Sequence, residues 1–483
     1  MQVRYATTAG RWVLAATVLG SGMASIDATV VGIALPSIGR DLHTSLSELQ
    51  WVVSGYLLTL CALLLPGGAL GDQSGRRRVF NLGVVWFTIA SAGCAVAPDA
   101  IVLILLRVLQ GVGAAFLTPG SLAIIEASFD KDSRAQAIGA WSGLGGVATA
   151  VGPLLGGYLI AAASWRWIFV INLPLGVAVL WISSRRVPES RDPDAPSRID
   201  IPGAVLATLA LVGVTYGLIQ GPASGWTQPD VVILLLLGAA SGVAFYFVER
   251  SAAHPMLPLS LLKVRQFTVT NAVTFIIYGA LSGALFLFPV SLQVVNHYSP
   301  LESGVALLPL TVIMLLFSAR SGKMASRIGP RLQMSVGPLV VAAGLALLAR
   351  STTDGWYPTG VLPAVLVFGV GLAITVAPLT STAMNSLAEE HAGIASALNN
   401  DVARTGGLIA VAILPAIAGL KGNAYLHAGA VASGFRTATA VSAAFCALGG
   451  VVAAIGIENR IPTQPMDEGL YCALDATPQA SRR

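Results

Sequence analysis

Fourteen stretches of this sequence are long and apolar enough to cross a lipid bilayer as helices, at about 1.5 Å of rise per residue. They fall at about 12–36, 48–70, 79–97, 100–124, 137–162, 166–184, 201–220, 229–248, 266–291, 303–319, 333–349, 358–380, 395–419 and 433–457. Backbone in hydrocarbon must bond to itself, so such a chain folds as a bundle of membrane-spanning helices. Of its 483 residues only 11% are charged, against roughly 25% in soluble domains. No sequence remains for a large water-soluble domain, and the first apolar run is too long for a cleaved signal, so it is expected to stay as the first helix.

The basic residues test the count and set an orientation. With a cytoplasmic N-terminus, Arg76, Arg77, Arg78, Arg185, Arg186, Arg320, Lys323, Arg327 and most other Lys and Arg residues fall inside, the tail's Arg482 and Arg483 included. Arg40, Arg166, Arg350, Lys421 and Arg436 fall outside, and Arg107 and Arg404 lie within spans. A missed helix would invert every later loop, so the bias predicts fourteen spans in the cytoplasmic membrane with both termini cytoplasmic. Net charge of +5 is spread over these loops and speaks for membrane orientation, not for nucleic acid. Cys61, Cys94, Cys446 and Cys472 lack disulfide or metal spacing, and the five histidines are scattered, so no metal site is expected. No phosphate-binding G-x-x-x-x-G-K-[ST] occurs, which argues against ATP-driven pumping.

The chain repeats itself. Gly68-Ala-Leu-Gly-Asp72-Gln-Ser-Gly75-Arg76-Arg77 and Gly322-Lys-Met-Ala-Ser326-Arg-Ile-Gly329-Pro330-Arg331 are offset by 254 residues, with glycines and the final Arg coinciding. The same offset carries the first span onto 266–290 and Gly152 onto Gly406. Parallel halves around a midplane site imply two six-helix bundles, 1–184 and 266–460, with linkers and two additional helices at 185–265. The tail, 461–483, carries Pro462, Pro465 and Pro478 without a periodic apolar face and is expected to be a disordered cytoplasmic segment.

Charge inside the spans is rare. Ile26-Asp27-Ala28-Thr29-Val30-Val31 places a carboxylate about two-thirds of the way along the first span. At a helix centre it costs roughly 2.5–3.5 kcal/mol on insertion scales, which marks a functional candidate. The alternative is a helix-end Asp that snorkels or bonds a neighbouring Thr. Arg107 and Gln110, three apart, share one helix face. A buried guanidinium stays protonated and needs a partner, and Asp27 is the nearest in-membrane acid by depth. The pair could be a fixed lock between spans 1 and 4, or Arg107 could hold water or carbonyls without touching Asp27.

Several motifs resemble one family. Gly68…Arg77 is similar to the G-x-x-x-D-x-x-G-R-[KR] loop of the major facilitator superfamily. Ile26-Asp27…Pro36, Arg107-Val-Leu-Gln110-Gly111-Val-Gly113 and Gly152-Pro153-Leu-Leu-Gly156-Gly157 resemble the first-, fourth- and fifth-helix motifs of its fourteen-helix drug:proton antiporters. Trp165-Arg166-Trp167-Ile-Phe169-Val-Ile-Asn172 and Ala395-Ser-Ala-Leu-Asn399-Asn400…Gly406-Gly407 are also similar to family segments. Gly32 and Asp401 depart from the usual residues. The resemblance implies an all-α membrane fold, no enzyme activity and no cofactor, transport being driven by the proton gradient. Asp27 and Arg107 would couple protons: desolvation favours the neutral acid, and a guanidinium beside it favours the carboxylate. Gly68, Asp72, Gly75, Arg76 and Arg77 would gate, with Asp72 and Arg76 latched onto the start of the span at 395–419. Gly152, Pro153, Gly156 and Gly157 would form a bending element, although glycines alone also describe a plain packing seam.

Other residues weigh less. Gln110, Asn271, Tyr278 and Asn399 are candidates to line a cavity, as are Trp51 and Tyr56. Asp401 and Arg404 read as a local i, i+3 pair, and Trp165 and Trp167 as interfacial anchors. Together these features point to a monomeric exporter in the lipid bilayer that exchanges protons for a small-molecule substrate, hydrophobic and in some cases cationic. A metabolite carrier or proton symporter on the same scaffold, or a non-transporting membrane sensor, is the alternative.

Overall fold

The structure is a computed structural model that describes residues 3–193, 199–252, 255–353, 356–387 and 392–459. The tail 461–483, Cys472 and Arg198 lie outside the described residues. Among the described residues fourteen helices are long and apolar enough to cross a membrane. They are α1 (Thr8–Asp41), α2 (Leu46–Ser74), α3 (Arg76–Ala95), α4 (Ala100–Ser128), α5 (Lys131–Ala162) and α6 (Trp167–Arg186). After them come α7 (Ile201–Ser224) and α8 (Pro229–Ser251). The last six are α9 (Arg265–Val294), α10 (Pro300–Ile328), α11 (Pro330–Thr352), α12 (Tyr357–Asn385), α13 (Ala392–Ile417) and α14 (Ala428–Gly456). Among the described residues the one β feature is an isolated bridge between Val3 and Phe129.

Helices α1–α6 pack on one another, and α9–α14 do likewise. Helix α7 pairs with α8 and lies against α2 and α13, one from each six-helix group. Association in lipid depends on close packing rather than on a hydrophobic drive, and many of the 52 glycines serve that end. A Cβ on Gly113 would sit 2.6 Å from Phe87 N, and one on Gly83 would sit 2.8 Å from Gly113 O, so α3 and α4 touch through their backbones.

The internal repeat reaches the helix ends. Ser45 and Glu48 form a capping box at the start of α2, and Ser299 and Glu302 form its counterpart at α10, again 254 residues on. His43 (φ 51°) and His297 (φ 56°) both hold left-handed backbone two residues earlier, a region His tolerates better than most residues. Gly75 (φ 118°) and Gly329 (φ 86°) make the matching reversals between α2 and α3 and between α10 and α11. The third helix of each group is then capped by a side chain from beyond its sixth. Glu189 Oε1 accepts Arg77 N–H at 3.0 Å, and Asn459 Oδ1 accepts Arg331 N–H at 3.1 Å.

The two groups are sealed on the side away from the chain termini. Gln50 Nε2 donates to the carbonyls of Val411 and Ala412 at 2.7 and 2.8 Å. Gln293 Nε2 donates to Ile33 O at 3.0 Å, Tyr425 Oη to Thr44 O at 2.7 Å, and Leu46 N to Gly422 O at 2.9 Å.

A buried carboxylate network as the candidate functional site

The motif glycine Gly111 sets the site's geometry. A Cβ there would lie 2.0 Å from Thr59 Oγ1 and 2.4 Å from Tyr56 O, so only glycine lets α4 lie this close to α2. One turn earlier, Arg107 Nε donates to Val52 O at 3.1 Å, and its guanidinium stacks on the Tyr56 ring at 4.3 Å with Phe169 at 5.8 Å. The same guanidinium meets Asp27 Oδ2 of α1 at 2.5 Å and Gln110 Oε1 at 2.6 Å. Asp27 and Arg107 are each 1% exposed.

Asp27's other oxygen is held by amides. Gln110 Nε2 donates to Asp27 Oδ1 at 2.9 Å and to Ser91 Oγ at 2.7 Å. Asn172 Nδ2 donates to the same two atoms, at 3.3 and 3.2 Å. Asn172 starts the second segment of α6, after a break at Ile171, and Pro174 follows in the first turn, where its missing N–H costs little. The carboxylate thus takes donors from α4 and α6 with its charge fully matched. Bonds to a charged group contribute roughly 1.5–3 kcal/mol each.

Asp27, Arg107 and Gln110, singled out in the sequence, therefore meet directly. Asn172, Ser91 and the stacking role of Tyr56 were missed; the available signal was an amide or hydroxyl inside an apolar span at Asp27's depth. Asn172→Ala should lower unfolding stability by about 1–2 kcal/mol, because a donor to the carboxylate goes. Thermal unfolding in lipid measures this, and an unchanged midpoint would remove Asn172 from the network.

The other candidates separate from it. Asp72 pairs with Arg76 on its own side, at 2.8 Å, and Arg77 and Arg78 lie 3.7 and 3.8 Å from Glu189. Among the described residues no ion pair joins Asp72 or Arg76 to α13, so in this conformation the loop is tied within its own half. Gly68 faces Pro119. Gly152 packs on Thr29, Gly156 on Val30 and Gly157 on Pro300 and Leu301, while Gly304 packs on Pro153. Helix α5 runs unbroken through Pro153. The motif is a seam between α5, the Asp27 stretch of α1 and the start of α10.

Gln110, Asn271 and Asn399 are buried with their amides engaged rather than lining open space. Asn399 Nδ2 donates to Asn271 Oδ1 at 3.0 Å and Thr274 Oγ1 at 2.9 Å, tying α13 to α9. Tyr278 and Trp51 are half-buried, and the Trp51 ring meets that of Tyr216 of α7 at a tilt of 51°. Two expectations are corrected. Asp401 and Arg404 form no ion pair among the described residues, and Asp401 Oδ1 has no hydrogen-bond partner; i, i+3 spacing permits a contact without compelling it. Trp165 is no headgroup anchor: it is buried, and its Nε1 donates to Asp41 Oδ2 at 2.9 Å beside the Arg166–Asp41 pair. Trp167 is exposed. No cluster of three metal-ligating side chains occurs among the described residues.

A family model described as Major Facilitator Superfamily matches residues 17–412. The chain belongs to the major facilitator superfamily. It is 36% identical over 426 residues to the Methylenomycin A resistance protein of Bacillus subtilis (strain 168), covering 88% of this chain and 91% of that one. It is 34% identical to the Tetracenomycin C resistance and export protein of Streptomyces glaucescens, covering 83% and 74%. With the Puromycin resistance protein pur8 of Streptomyces alboniger it shares 35% over 474 residues, 95% and 93% of the two chains. Among solved structures, a bacterial homolog of the human lysosomal transporter Spinster has the same fold, with a TM-score of 0.64 at 16% identity, covering 93% and 97%. The POT family transporter PepTSo also superposes, with a TM-score of 0.64 at 14% identity over 92% and 96%. As a major facilitator, the protein is a multi-pass small-molecule secondary transporter of an efflux-rich group, not an enzyme.

Proposed function

We propose that this major facilitator is a proton-driven exporter: protons move inward through Asp27 while hydrophobic antibiotics, cationic ones included, move outward across the cytoplasmic membrane. The observation that carries the reading is the sealed Asp27–Arg107 pair. Arg107 and two amides hold the carboxylate in place. A proton delivered to it cancels the attraction and releases Arg107, so protonation and helix arrangement are linked. The α5 seam touches Thr29, two residues beyond Asp27, so rocking of the halves bears on the acid. The excess of Lys and Arg on the termini side supports a cytoplasmic placement of both ends. Asp72 and Arg76, with Gly68, Gly75 and Arg77, would hold the cytoplasmic side shut once the opposite side opens. Relatives named for resistance to methylenomycin A, tetracenomycin C and puromycin favour antibiotics as the cargo class.

Inverted membrane vesicles holding the protein test the direction and the driving force. With the interior acidified, puromycin or ethidium should accumulate inside, and a protonophore should abolish the accumulation. Uptake that survives the protonophore, or flux only in the opposite direction, would refute proton-driven export.

A further inference from the structure

The inserted helices bring two acids together, apart from Asp27. Asp200, just before α7, accepts Gly203 N–H through Oδ1 at 2.8 Å, as an N-cap acid does. Its Oδ2 accepts Met256 N–H at 3.4 Å. From the last turn of α8, Glu249 Oε2 accepts Leu257 N–H at 3.1 Å. Glu249 is only 3% exposed, yet its Oε1 has no donor. That oxygen and Asp200 Oδ2 converge over Gly203, where a Cβ would sit 2.9 Å from one and 2.5 Å from the other. The glycine, having no side chain, leaves room for both carboxyl oxygens at one place.

Nothing basic among the described residues neutralises them, and Arg198 and His254 lie outside those residues. Helix α7 presents Asp200 itself. On α8, Arg250 is exposed and pairs with neither acid. In the strap from 255 to 264, Lys263 is exposed, and Arg265 at the start of α9 reaches Glu458 instead, at 3.9 Å. Two carboxylates brought together in this way repel when both are ionised. A single proton converts the repulsion into an O–H···O⁻ hydrogen bond and gives Oε1 the partner it lacks.

We propose that Asp200 and Glu249 form a proton-binding site at the termini-side end of the inserted helices, whose shared proton pins Met256 and Leu257. The pinned strap matters because Leu257 and Leu261 pack with Phe267 of α9 and with Ala395 and Leu398 of α13. The site thereby ties α7 and α8 to the start of a helix at the seam between the halves. Low pH holds the strap; as pH rises and the proton leaves, the two acids part and the Met256 and Leu257 bonds loosen. The site is separate from Asp27, and its test does not depend on antiport.

Hydrogen–deuterium exchange on the full chain in lipid nanodiscs reads the strap amides directly. After correction for intrinsic exchange, wild-type protection at Met256 and Leu257 should fall about tenfold or more between about pH 5 and about pH 9. In Glu249→Gln the amide donates to Asp200 without a proton, so protection should stay within about twofold across the range. Asp200→Asn keeps the N-cap but puts an amide donor where Met256 N–H needs an acceptor, so Met256 should be unprotected at every pH while Leu257 stays flat; the Leu257 profile decides the matter if Glu249→Gln does not fold. A flat wild-type profile, or variants that lose protection in parallel with wild type, overturns the proposal.

Discussion

Asp27→Asn should destabilise the sealed conformation by about 3–5 kcal/mol, because it leaves Arg107 charged and buried without its counter-ion. Asn keeps the shape of Asp and can still accept from Gln110 and Asn172, so the loss reports charge rather than packing. Arg107→Gln on top of Asp27→Asn should recover much of that stability, since no orphaned charge then remains. A double-mutant cycle on thermal unfolding in lipid measures the coupling. If Asp27→Asn costs only about 0.5 kcal/mol, as a surface change would, the pair is not what holds α1 to α4.

The second large effect belongs to the seam. Gly157→Val places methyl groups where even a Cβ would lie 2.6 Å from Pro300 O and 2.7 Å from Leu301 Cα. Neither neighbour is the movable end of a side chain, so α5 and α10 must separate. Overpacking of this kind costs about 1–3 kcal/mol, enough to shift a two-state balance by about 5- to 150-fold. Spin labels at Tyr158→Cys and Val305→Cys, with Cys61, Cys94, Cys446 and Cys472 replaced, should report a longer distance in Gly157→Val, and transport should fall in parallel. An unchanged distance distribution would mean that this seam does not set the closed state.

Much of the molecule was legible because its solvent is lipid. Fourteen apolar runs, the charge bias and the 254-residue repeat each follow from single-residue properties that a sequence displays. Asp27 and Arg107 stood out because unpaired charge in a span is costly, and depth alone brought them together. Depth does not reveal rotation about a helix axis. Asn172 and Ser91 therefore read as ordinary polar residues, although α6 turns Asn172 toward Asp27 and α3 turns Ser91 toward Gln110 and Asn172. Asp401 and Arg404 show the converse, since suitable spacing on one helix did not yield a pair. The capping of α3 and α11 by Glu189 and Asn459 was hidden because it joins segments more than a hundred residues apart. The Asp72 loop had a cross-half partner only by resemblance, and in this conformation its side chain meets Arg76.

Proton-driven export by this protein requires that Asp27 carry the proton. Inverted vesicles, acidified inside and loaded with a pH-sensitive dye, should show proton release when puromycin or ethidium is added to wild-type protein. Asp27→Asn vesicles, matched for protein content and still binding the compound, should show none. Equal proton release from the two preparations would contradict the central claim and make the buried pair a structural lock.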